Sequence, residues 1–229
     1  MVGAAAVVGY KNAVRAVLIA AKQLAFAKTR LAPALPAAAE RIALAEAMYR
    51  DVLAAALSAR LPAMVAVVTS DSTLIALARG GGALTIDEEY PRGLNVAVRL
   101  GTEFLIGRGA TAVCTVLSDI PLVTGEDIDA SFAAIPPNGP GVVLVPSFDF
   151  SGTNLITRAP PDAIATRFGR LSLARHLDDC RARGIPCEVV RMPRPAIDLD
   201  TPHDLIEFAR TPSMTHTFGQ LTRLGMVNG

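Results

Sequence analysis

An aspartate at the end of an apolar segment is the first feature of this sequence that could do chemistry. Residues 113–117 form a short β-branched run, typical of a strand buried on both faces, and Pro121 stops its continuation. Asp119 therefore lies where a buried strand opens into a loop, the edge at which open α/β sheets bind ligands. A lone aspartate after a strand can equally cap a turn. Two distant segments, residues 22–31 and 198–204, favour a ligand site.

Residues 22–31 form a loop directly after the predicted first strand, and they carry the cations Lys22, Lys28 and Arg30. A lysine supplies a mobile point charge, and an arginine supplies a planar fork that matches phosphate oxygens. The loop has neither the P-loop pattern nor the glycine pattern of dinucleotide-binding folds, so a nicotinamide cofactor is not expected. A solvated basic loop is the structural alternative. The functional interpretation is a phosphate cradle.

Two further aspartates, Asp198 and Asp200, precede a helix start that the residues specify well. Thr201, Pro202 and Asp204 form the pattern of an N-cap followed by proline at the first helical position. That pattern makes no use of Asp198 and Asp200, whose carboxylates point the same way if the segment is extended. Without a partner they would repel each other, so a bound divalent cation is the natural counter-charge.

Small polar residues at other helix starts complete the candidates. Gly93 permits close backbone approach and Asn95 can both donate and accept, which suits reading the edge of a base. The same residues suit a helix N-cap, which the local sequence alone favours. Gly169 and Ser172 open another helix, whose N-terminal N–H groups favour an anion. His176 is interpreted as a packing or surface residue, because no second His or Cys stands at metal-ligand spacing.

Alternating strands and helices must position these residues, a pattern that predicts an α/β fold with a mostly parallel sheet. Strands are predicted at residues 14–21, 63–69, 83–86, 113–117, 142–146 and 187–192. Helices are predicted at residues 37–61, 72–79, 94–107, 124–135 and 172–183, and from residue 202. Three glycines at 80–82 follow a helix, so they are interpreted as its end and not as a phosphate loop.

Composition narrows the class of protein. The chain has 229 residues, of which 51% are hydrophobic, and a net charge of +1, which indicates neither a nucleic-acid surface nor an acidic tail. No apolar run approaches the length of a membrane span. Three cysteines without a C-x-x-C pair indicate reduced thiols in a cytoplasmic protein, with neither a disulfide framework nor a zinc site. Residues 14–210 are predicted to form one domain. Residues 1–13 and 211–229 are predicted to be loosely attached terminal extensions.

Six motifs, taken together, resemble the guanylyltransferase family of coenzyme F-420 biosynthesis. They are A-K-T-R-L at 27–31, L-N at 94–95, L-S-D-I-P at 117–121, G-T-N at 152–154, F-G-x-x-S at 168–172 and D-L-D-T-P-x-D-L at 198–205. The resemblance covers residues 14–210 and is most distinctive in A-K-T-R-L. This family, the 2-phospholactate or phosphoenolpyruvate guanylyltransferases, is one of the molybdopterin-guanylyltransferase-like nucleotidyltransferases. Ala21 departs from the family, which often has proline there.

The resemblance implies a single doubly wound α/β domain, similar to nucleotide-diphospho-sugar transferases, that uses GTP and Mg²⁺. The residues implied to hold metal are Asp119, Asp198 and Asp200. Those implied to contact the nucleotide are Lys22, Lys28, Arg30 and Asn95. Those implied to hold the phosphorylated acid are Thr153, Gly169 and Ser172. A catalytic role is implied for Asp119, Lys28 and Arg30.

The reaction that this family implies is consistent with these residue types. A phosphate oxygen of a small acid attacks the α-phosphorus of GTP, and pyrophosphate leaves. The attacking phosphomonoester has a second pKa of about 6, so it is largely a dianion at neutral pH and needs no general base. A small polar acceptor site indicates an acid of about three carbons: 2-phospholactate, phosphoenolpyruvate or 3-phosphoglycerate. The first two are favoured, because no extra polar residue is evident for the hydroxyl of 3-phosphoglycerate.

Other functions stay open from the residues alone. D-x-D motifs also occur in sugar-nucleotide glycosyltransferases, and cytidylyl or molybdopterin guanylyl transferases share the fold. A catalytically silent nucleotide-binding module is a further alternative, although it would not need all three aspartates and the basic loop. The expected partners are GTP, a phosphorylated acid, and the next pathway enzyme, which would receive a labile product. A homodimer is left open, and no nucleic-acid or membrane partner is expected.

Overall fold

The computed structural model describes residues 13–137 and 139–227. The prediction of a loose N-terminal extension falls on residues 1–12, which lie outside this part of the chain. Asn138 also lies outside it. None of the helices in the described ranges is both long and apolar enough to cross a membrane.

Strands and helices alternate over most of the described chain as the sequence predicts, but the strand at residues 153–159 and the helix at residues 216–223 were not predicted. The strands are β1 (Arg15–Ala20), β2 (Met64–Thr69), β3 (Leu84–Asp87), β4 (Ala112–Leu117), β5 (Gly141–Pro146), β6 (Thr153–Ala159) and β7 (Cys187–Val189). The helices are α1 (Ala38–Ser58), α2 (Ser72–Gly80), α3 (Leu94–Ile106), α4 (Gly125–Ala133), α5 (Ser172–Arg183), α6 (Pro202–Ala209) and α7 (His216–Arg223).

The strands form one mixed sheet in the order β3-β2-β1-β4-β6-β5-β7. β6 runs antiparallel to both of its neighbours, and the other pairings are parallel. The chain leaves β1 toward β2 and β3 and later returns to β4 on the other side of β1. This reversal makes the crevice between the ends of β1 and β4 the topological switch point, where ligands bind in open α/β sheets.

Helices cover both faces of the sheet, which confirms the predicted α/β class. Residues of β1 alternate between the two faces, with Val17 and Ile19 on one side and Ala16, Leu18 and Ala20 on the other. The first face packs against α1, α2, α4, α6 and α7, and the second packs against α3 and α5. A sheet covered in this way is rigid, so the loops at its carboxyl edge hold their side chains in fixed places.

Two predictions about the C-terminal third are wrong. The last strand pairs with β5 only from Cys187 to Val189, where the ladder ends opposite Leu144, and it is therefore shorter than the predicted 187–192. Residues 211–227 are not loosely attached. α7 packs against α1, where the Asp51 carboxylate accepts the backbone N–H groups of His216 and Thr217 at 2.7 and 2.9 Å.

Candidate active site

The carboxyl ends of β1 and β4 bring the two predicted charged segments together. Ala20 pairs with Leu117 at the last step of the parallel ladder, so the loops that follow both strands begin side by side. The Asp119 carbonyl accepts the Leu199 N–H at 3.0 Å, which ties the segment carrying Asp198 and Asp200 to the end of β4. Three parts of the chain that are far apart in sequence therefore meet at this edge.

The basic loop after β1 folds into two short 3₁₀ turns, Leu24–Phe26 and Thr29–Leu31, with Lys28 between them in the left-handed region at φ 54°. A non-glycine residue pays a steric cost there, so the contacts of Lys28 must hold it in place. The Asp71 carboxylate, which caps α2, also accepts the Leu24 N–H at 2.9 Å and anchors the start of the loop.

Lys28 joins two of the predicted aspartates. Its Nζ lies 2.9 Å from Asp119 Oδ2 and 2.7 Å from Asp200 Oδ1, and only 7% of its side chain is exposed. Burial alone would lower the pKa of the Lys28 ammonium, but the charges of Asp119 and Asp200 hold it above its usual value. Burial would raise the pKa of Asp200, but Lys28 and then Arg30 hold it below its usual value. Lys28 is therefore charged at neutral pH.

The other two cations of the loop are in contact with solvent. The Arg30 side chain is 75% exposed and its guanidinium lies 3.8 Å from Asp200 Oδ2, a loose ion pair. Lys22 is also exposed, and its charge acts on Asp200 from a longer distance. These two side chains are free to turn toward an anion, whereas Lys28 is held by its two carboxylates.

Asp198 has less counter-charge than its neighbours. Its Oδ1 accepts one hydrogen bond, from Asn154 Nδ2 at 3.2 Å. Burial raises the pKa of the Asp198 carboxyl to about 6, and the negative charge of Asp119 adds to the shift. Asp119 Oδ1 is buried and has no hydrogen-bond partner in the described residues. The buried part of the site therefore has three carboxylates to the one ammonium of Lys28, since Arg30 and Lys22 are exposed.

These aspartates do not form a closed metal cage. Within residues 13–137 and 139–227, no group of three or more His, Cys, Asp or Glu side chains is arranged to hold a metal ion. Lys28 takes one oxygen each from Asp119 and Asp200. The donor set nevertheless suits a hard divalent cation, because such ions prefer carboxylate oxygens and the buried Asp119 Oδ1 has no other partner. We call Lys28, Asp119, Asp198 and Asp200 the charged half of the site.

Of the predicted acceptor residues, Thr153 and Ser172 are buried and hydrogen-bonded to each other, whereas Gly169 is exposed. Ser172 Oγ accepts the Thr153 N–H at 2.8 Å, and Thr153 Oγ1 lies 3.0 Å from His176 Nδ1. Gly169 is exposed at φ 117°, and a side chain there would meet no atom within 4 Å. We call Thr153, Gly169, Ser172 and His176 the neutral half of the site. Asn154, next to Thr153 in β6, links it to Asp198 in the charged half.

Asn95 is not a helix cap, so the local interpretation that the sequence favoured is wrong. Gly93 occupies the N-cap position of α3 and makes no side-chain cap bond. The Asn95 amide instead accepts the Phe168 N–H at 2.8 Å and donates to the Phe168 carbonyl at 3.0 Å. It fixes the segment that leads into α5. A contact of Asn95 with a nucleoside stays a prediction.

Sequence reasoning gave no site role to Asp71, Asn154 or His176. Asp71 directly precedes the predicted helix at residues 72–79 and caps it. Its second hydrogen bond, from the Leu24 N–H of the basic loop, was not predicted. His176 was interpreted as packing or surface, and the structure buries it completely beside Thr153. Asn154 stood inside the quoted G-T-N motif, which was the one available signal for it.

Comparison with known proteins places this arrangement among nucleotidyltransferases. A family model described as "Guanylyl transferase CofC like" matches residues 15–228. The chain is 38% identical to the phosphoenolpyruvate guanylyltransferase of Sphaerobacter thermophilus, a match that covers 84% of this chain and 91% of the relative. It is 37% identical to the 3-phospho-D-glycerate guanylyltransferase of Phenylobacterium zucineum, with 86% and 91% covered.

Solved structures support the fold. A Desulfovibrio desulfuricans G20 protein, provisionally described as a nucleotide-diphospho-sugar transferase, superposes with a TM-score of 0.74 at 17% identity, covering 93% of this chain and 96% of its own. The 4-diphosphocytidyl-2C-methyl-D-erythritol synthase of Anaerococcus prevotii gives a TM-score of 0.60 at 11% identity, covering 92% and 97%. At these identities the likeness concerns the fold alone, and it confirms the predicted fold type.

Proposed function

This chain belongs to the CofC-like guanylyl transferase family, and on that premise we propose that it transfers GMP from GTP to the phosphate of a small phosphorylated acid in coenzyme F-420 biosynthesis. The observation that carries the proposal is the position of the charged half. Cations and carboxylates from three distant segments converge at the switch point of the sheet. Joining two anionic substrates requires positive charge, which the cationic side chains and a metal ion held by the carboxylates would supply.

The basic loop is assigned to the nucleotide. Lys22 and Arg30 are exposed and free to turn toward the triphosphate, where they would neutralise the departing pyrophosphate. Lys28 lies deeper, between Asp119 and Asp200, and would meet the phosphate nearest the reacting centre. Asn95 is retained as the nucleoside contact. Its amide is already bonded to Phe168, so that contact would use its remaining hydrogen-bonding capacity.

Asp119, Asp198 and Asp200 are proposed to hold Mg²⁺. The partnerless Asp119 Oδ1 and the excess negative charge around Asp198 support this assignment. Lys28 would have to release one or both carboxylates. When bound, the metal would supply positive charge that draws together the attacking phosphate and the α-phosphate of GTP. The attacking group is a dianion near neutral pH, so the protein residues bind and orient it, and no side chain needs to remove a proton.

Thr153, Gly169 and Ser172 are proposed to bind the acid. The Ser172 hydroxyl already accepts one hydrogen bond, and the Thr153 hydroxyl lies against a ring nitrogen of His176. Ser172 is also the first residue of α5, where backbone N–H groups favour an anion. We favour phosphoenolpyruvate, the acid named for the Sphaerobacter relative. 3-Phosphoglycerate is the second candidate, because the Phenylobacterium relative, at almost the same identity, is named for it. 2-Phospholactate is kept as a third.

The test is mass spectrometry of the products from GTP and Mg²⁺ mixed with each acid in turn, together with a pyrophosphate assay. The expected result is a guanylylated acid and one pyrophosphate per turnover, with one acid clearly preferred. A labile product requires coupling to the next pathway enzyme. Release of GDP in place of pyrophosphate would indicate cleavage at the γ-phosphate and not guanylyl transfer, and a glycosyltransferase would leave GTP intact and release GDP only from a GDP-sugar. Nucleotide binding without turnover would indicate a silent binding module.

Three further expectations accompany this function and stay predictions. The labile product would pass directly to the next enzyme of the pathway. The protein is expected in the cytoplasm, and a homodimer is left open. Size-exclusion chromatography with light scattering, run with and without the next enzyme, measures both forms of association.

A further inference from the structure

His176 lies at the centre of the neutral half of the site, and both of its ring nitrogens have a polar partner although the side chain is buried. The ring is wholly inaccessible to solvent. Its Nε2 lies 2.8 Å from the Arg167 backbone N–H, and its Nδ1 lies 3.0 Å from Thr153 Oγ1. Phe168 packs edge-on against the ring, with centroids 5.6 Å apart at an interplanar angle of 80°. One imidazole therefore joins β6, α5 and the segment before α5.

These contacts determine the tautomer of the ring. A backbone N–H can only donate, so the Nε2 that faces Arg167 must be the unprotonated nitrogen. In a neutral imidazole the proton is then on Nδ1, which donates to Thr153 Oγ1. Burial, and then the charge of Arg158, lower the pKa of His176 to about 4, so the ring is neutral under ordinary conditions.

The tautomer in turn orients the Thr153 hydroxyl. Because its oxygen accepts from His176, its own hydrogen must point away from the ring. Ser172 is arranged in the same way, since its oxygen accepts the Thr153 backbone N–H at 2.8 Å. The oxygens of these two adjacent hydroxyls thus each accept one hydrogen bond, and their hydrogens point away from those donors. Two such donors beside a helix N-terminus suit an anion.

The backbone before α5 is held from two sides. His176 accepts the Arg167 N–H, and Asn95 from α3 binds both backbone groups of the next residue, Phe168. The chain then reaches Gly169 at φ 117°. Fixing two successive residues leaves Gly169 little freedom.

We propose that His176 is a positioning residue for the acceptor: it holds the Thr153 hydroxyl as a donor and the Arg167–Gly169 backbone in place for the acid's anionic group. The inference rests on the proposed function in taking Thr153 and Gly169 as acceptor contacts. His176 does not itself touch substrate in this proposal. It acts through Thr153.

Two variants each keep half of the ring's bonding. His176→Gln can place an acceptor near the Nε2 position but leaves Thr153 without its donor. His176→Asn can place an amide donor near Nδ1 but leaves the Arg167 N–H without its acceptor. We expect His176→Gln to raise the acid KM roughly tenfold, the effect of one hydrogen bond to a charged group. The rise in His176→Asn should be smaller, because Asn95 still holds the Phe168 backbone. The GTP KM should be unchanged in both.

A double-mutant cycle with Thr153→Val separates positioning from mere stability. If His176 acts through the Thr153 hydroxyl, His176→Gln should have little further effect on the acid KM once that hydroxyl is gone. Ser131→Ala is the matched control. Ser131 is equally buried but lies in α4, on the other face of the sheet from α5, where its hydroxyl bonds to the Ile128 carbonyl and the Thr157 hydroxyl. It should lower the melting temperature without changing the acid KM.

Additive effects in the cycle, or parallel increases in the acid and GTP KM, would overturn the proposal. The same cycle is measured by calorimetric titration of phosphoenolpyruvate with a non-hydrolysable GTP analogue present. A wild type that binds the acid but transfers nothing refutes the proposed function and still yields the coupling. A wild type that binds no acid overturns both.

Discussion

The charged and neutral halves of the site solve different problems with different chemistry. In the charged half, Lys28 bridges Asp119 and Asp200 while Asp198 has one amide as its partner. In the neutral half, the described hydroxyl and imidazole groups bond to one another or to backbone. The first arrangement has three carboxylates to one buried ammonium, so it can accept an added cation. The second is satisfied before any ligand arrives.

The difference teaches which half must rearrange when substrates bind. A buried ammonium between two carboxylates has to move if those carboxylates bind a metal. By contrast, preorganised neutral donors pay little reorganisation cost on meeting an anion. We therefore expect substitutions in the charged half to reduce turnover strongly and those in the neutral half to change one KM selectively.

The largest expected effect is that of Asp119→Asn. Removing one anionic oxygen from the proposed metal site should lower kcat/KM on the order of 10³-fold, equivalent to several kcal/mol of transition-state stabilisation. The fold should persist, because asparagine still offers an oxygen to Lys28. Pyrophosphate release measures the rate, and the shift of melting temperature with added Mg²⁺ measures metal binding.

Asp178→Asn is the matched control for that change, since its side chain is 72% exposed on α5. It should change neither the rate nor the magnesium-dependent shift. Near wild-type turnover of Asp119→Asn would make Asp119 a turn residue and misplace the charged half.

The next effect distinguishes two cations of the same loop. Lys28→Met leaves Asp119 and Asp200 facing each other without their buried counter-charge, so both stability and activity should fall, with kcat/KM lower on the order of 10²-fold. Arg30→Ala removes an exposed and loosely paired group. It should raise the GTP KM roughly tenfold and leave the melting temperature unchanged.

Thermal melts and GTP titrations on the two variants make the comparison. If both lose stability and neither changes the GTP KM, the loop is a structural element and not a phosphate cradle.

Local sequence signals predicted much of the frame that carries both halves. The helix starts at Thr124 and Thr201 appear as predicted, and each is closed by a capping box whose partners lie within three residues. Most strand positions also follow from apolar runs, but β6 was not predicted, because polar residues interrupt its sequence TNLITRA. The length of β7 was not predicted either, since strand propensity says nothing about how far a partner strand continues the ladder.

The contacts within the site could be predicted only in part. Charge and spacing identified Lys28, Asp119 and Asp200 as members of one site. They did not predict the ion pairs themselves, because Lys28 is 91 positions from Asp119 and 172 positions from Asp200 in the sequence. His176 and Thr153 are 23 residues apart and meet only because α5 folds onto β6. The packed tail was missed for the same reason: its anchor, Asp51, lies 165 residues away from His216.

A smaller effect should come from Ser172→Ala in the neutral half. Its hydroxyl hydrogen is directed away from Thr153, and loss of one bond to an anion should raise the acid KM on the order of 10- to 100-fold. The GTP KM should stay within twofold of wild type, since the basic loop is untouched. Initial-rate kinetics with each substrate varied in turn give both constants. Equal effects on both substrates would remove Ser172 from the acceptor site.

The smallest effect concerns how the neutral half depends on pH. The pKa of His176 is lowered to about 4 by burial, then by Arg158, with Asp179 opposing and Arg167 adding to the shift. The unfolded chain binds a proton at this histidine below about pH 6.5, whereas the folded protein does not until about pH 4. Stability from this group is therefore complete above pH 6.5 and is lost as the pH falls toward 4.

Between pH 7 and 5.5 the loss attributable to His176 should be about 1 kcal/mol of unfolding free energy. His176→Asn removes the titration, so its stability should change less than that of wild type over the same interval, although its absolute stability is lower. Urea unfolding at both pH values for the two proteins isolates the difference from the aspartates, which both share. Parallel pH profiles would show that the pKa of His176 is the same in the folded and the unfolded protein, so that the ring is mostly protonated at pH 5.5. The Arg167 N–H would then have no acceptor there, and the hydrogen-bond order of the neutral half would be wrong.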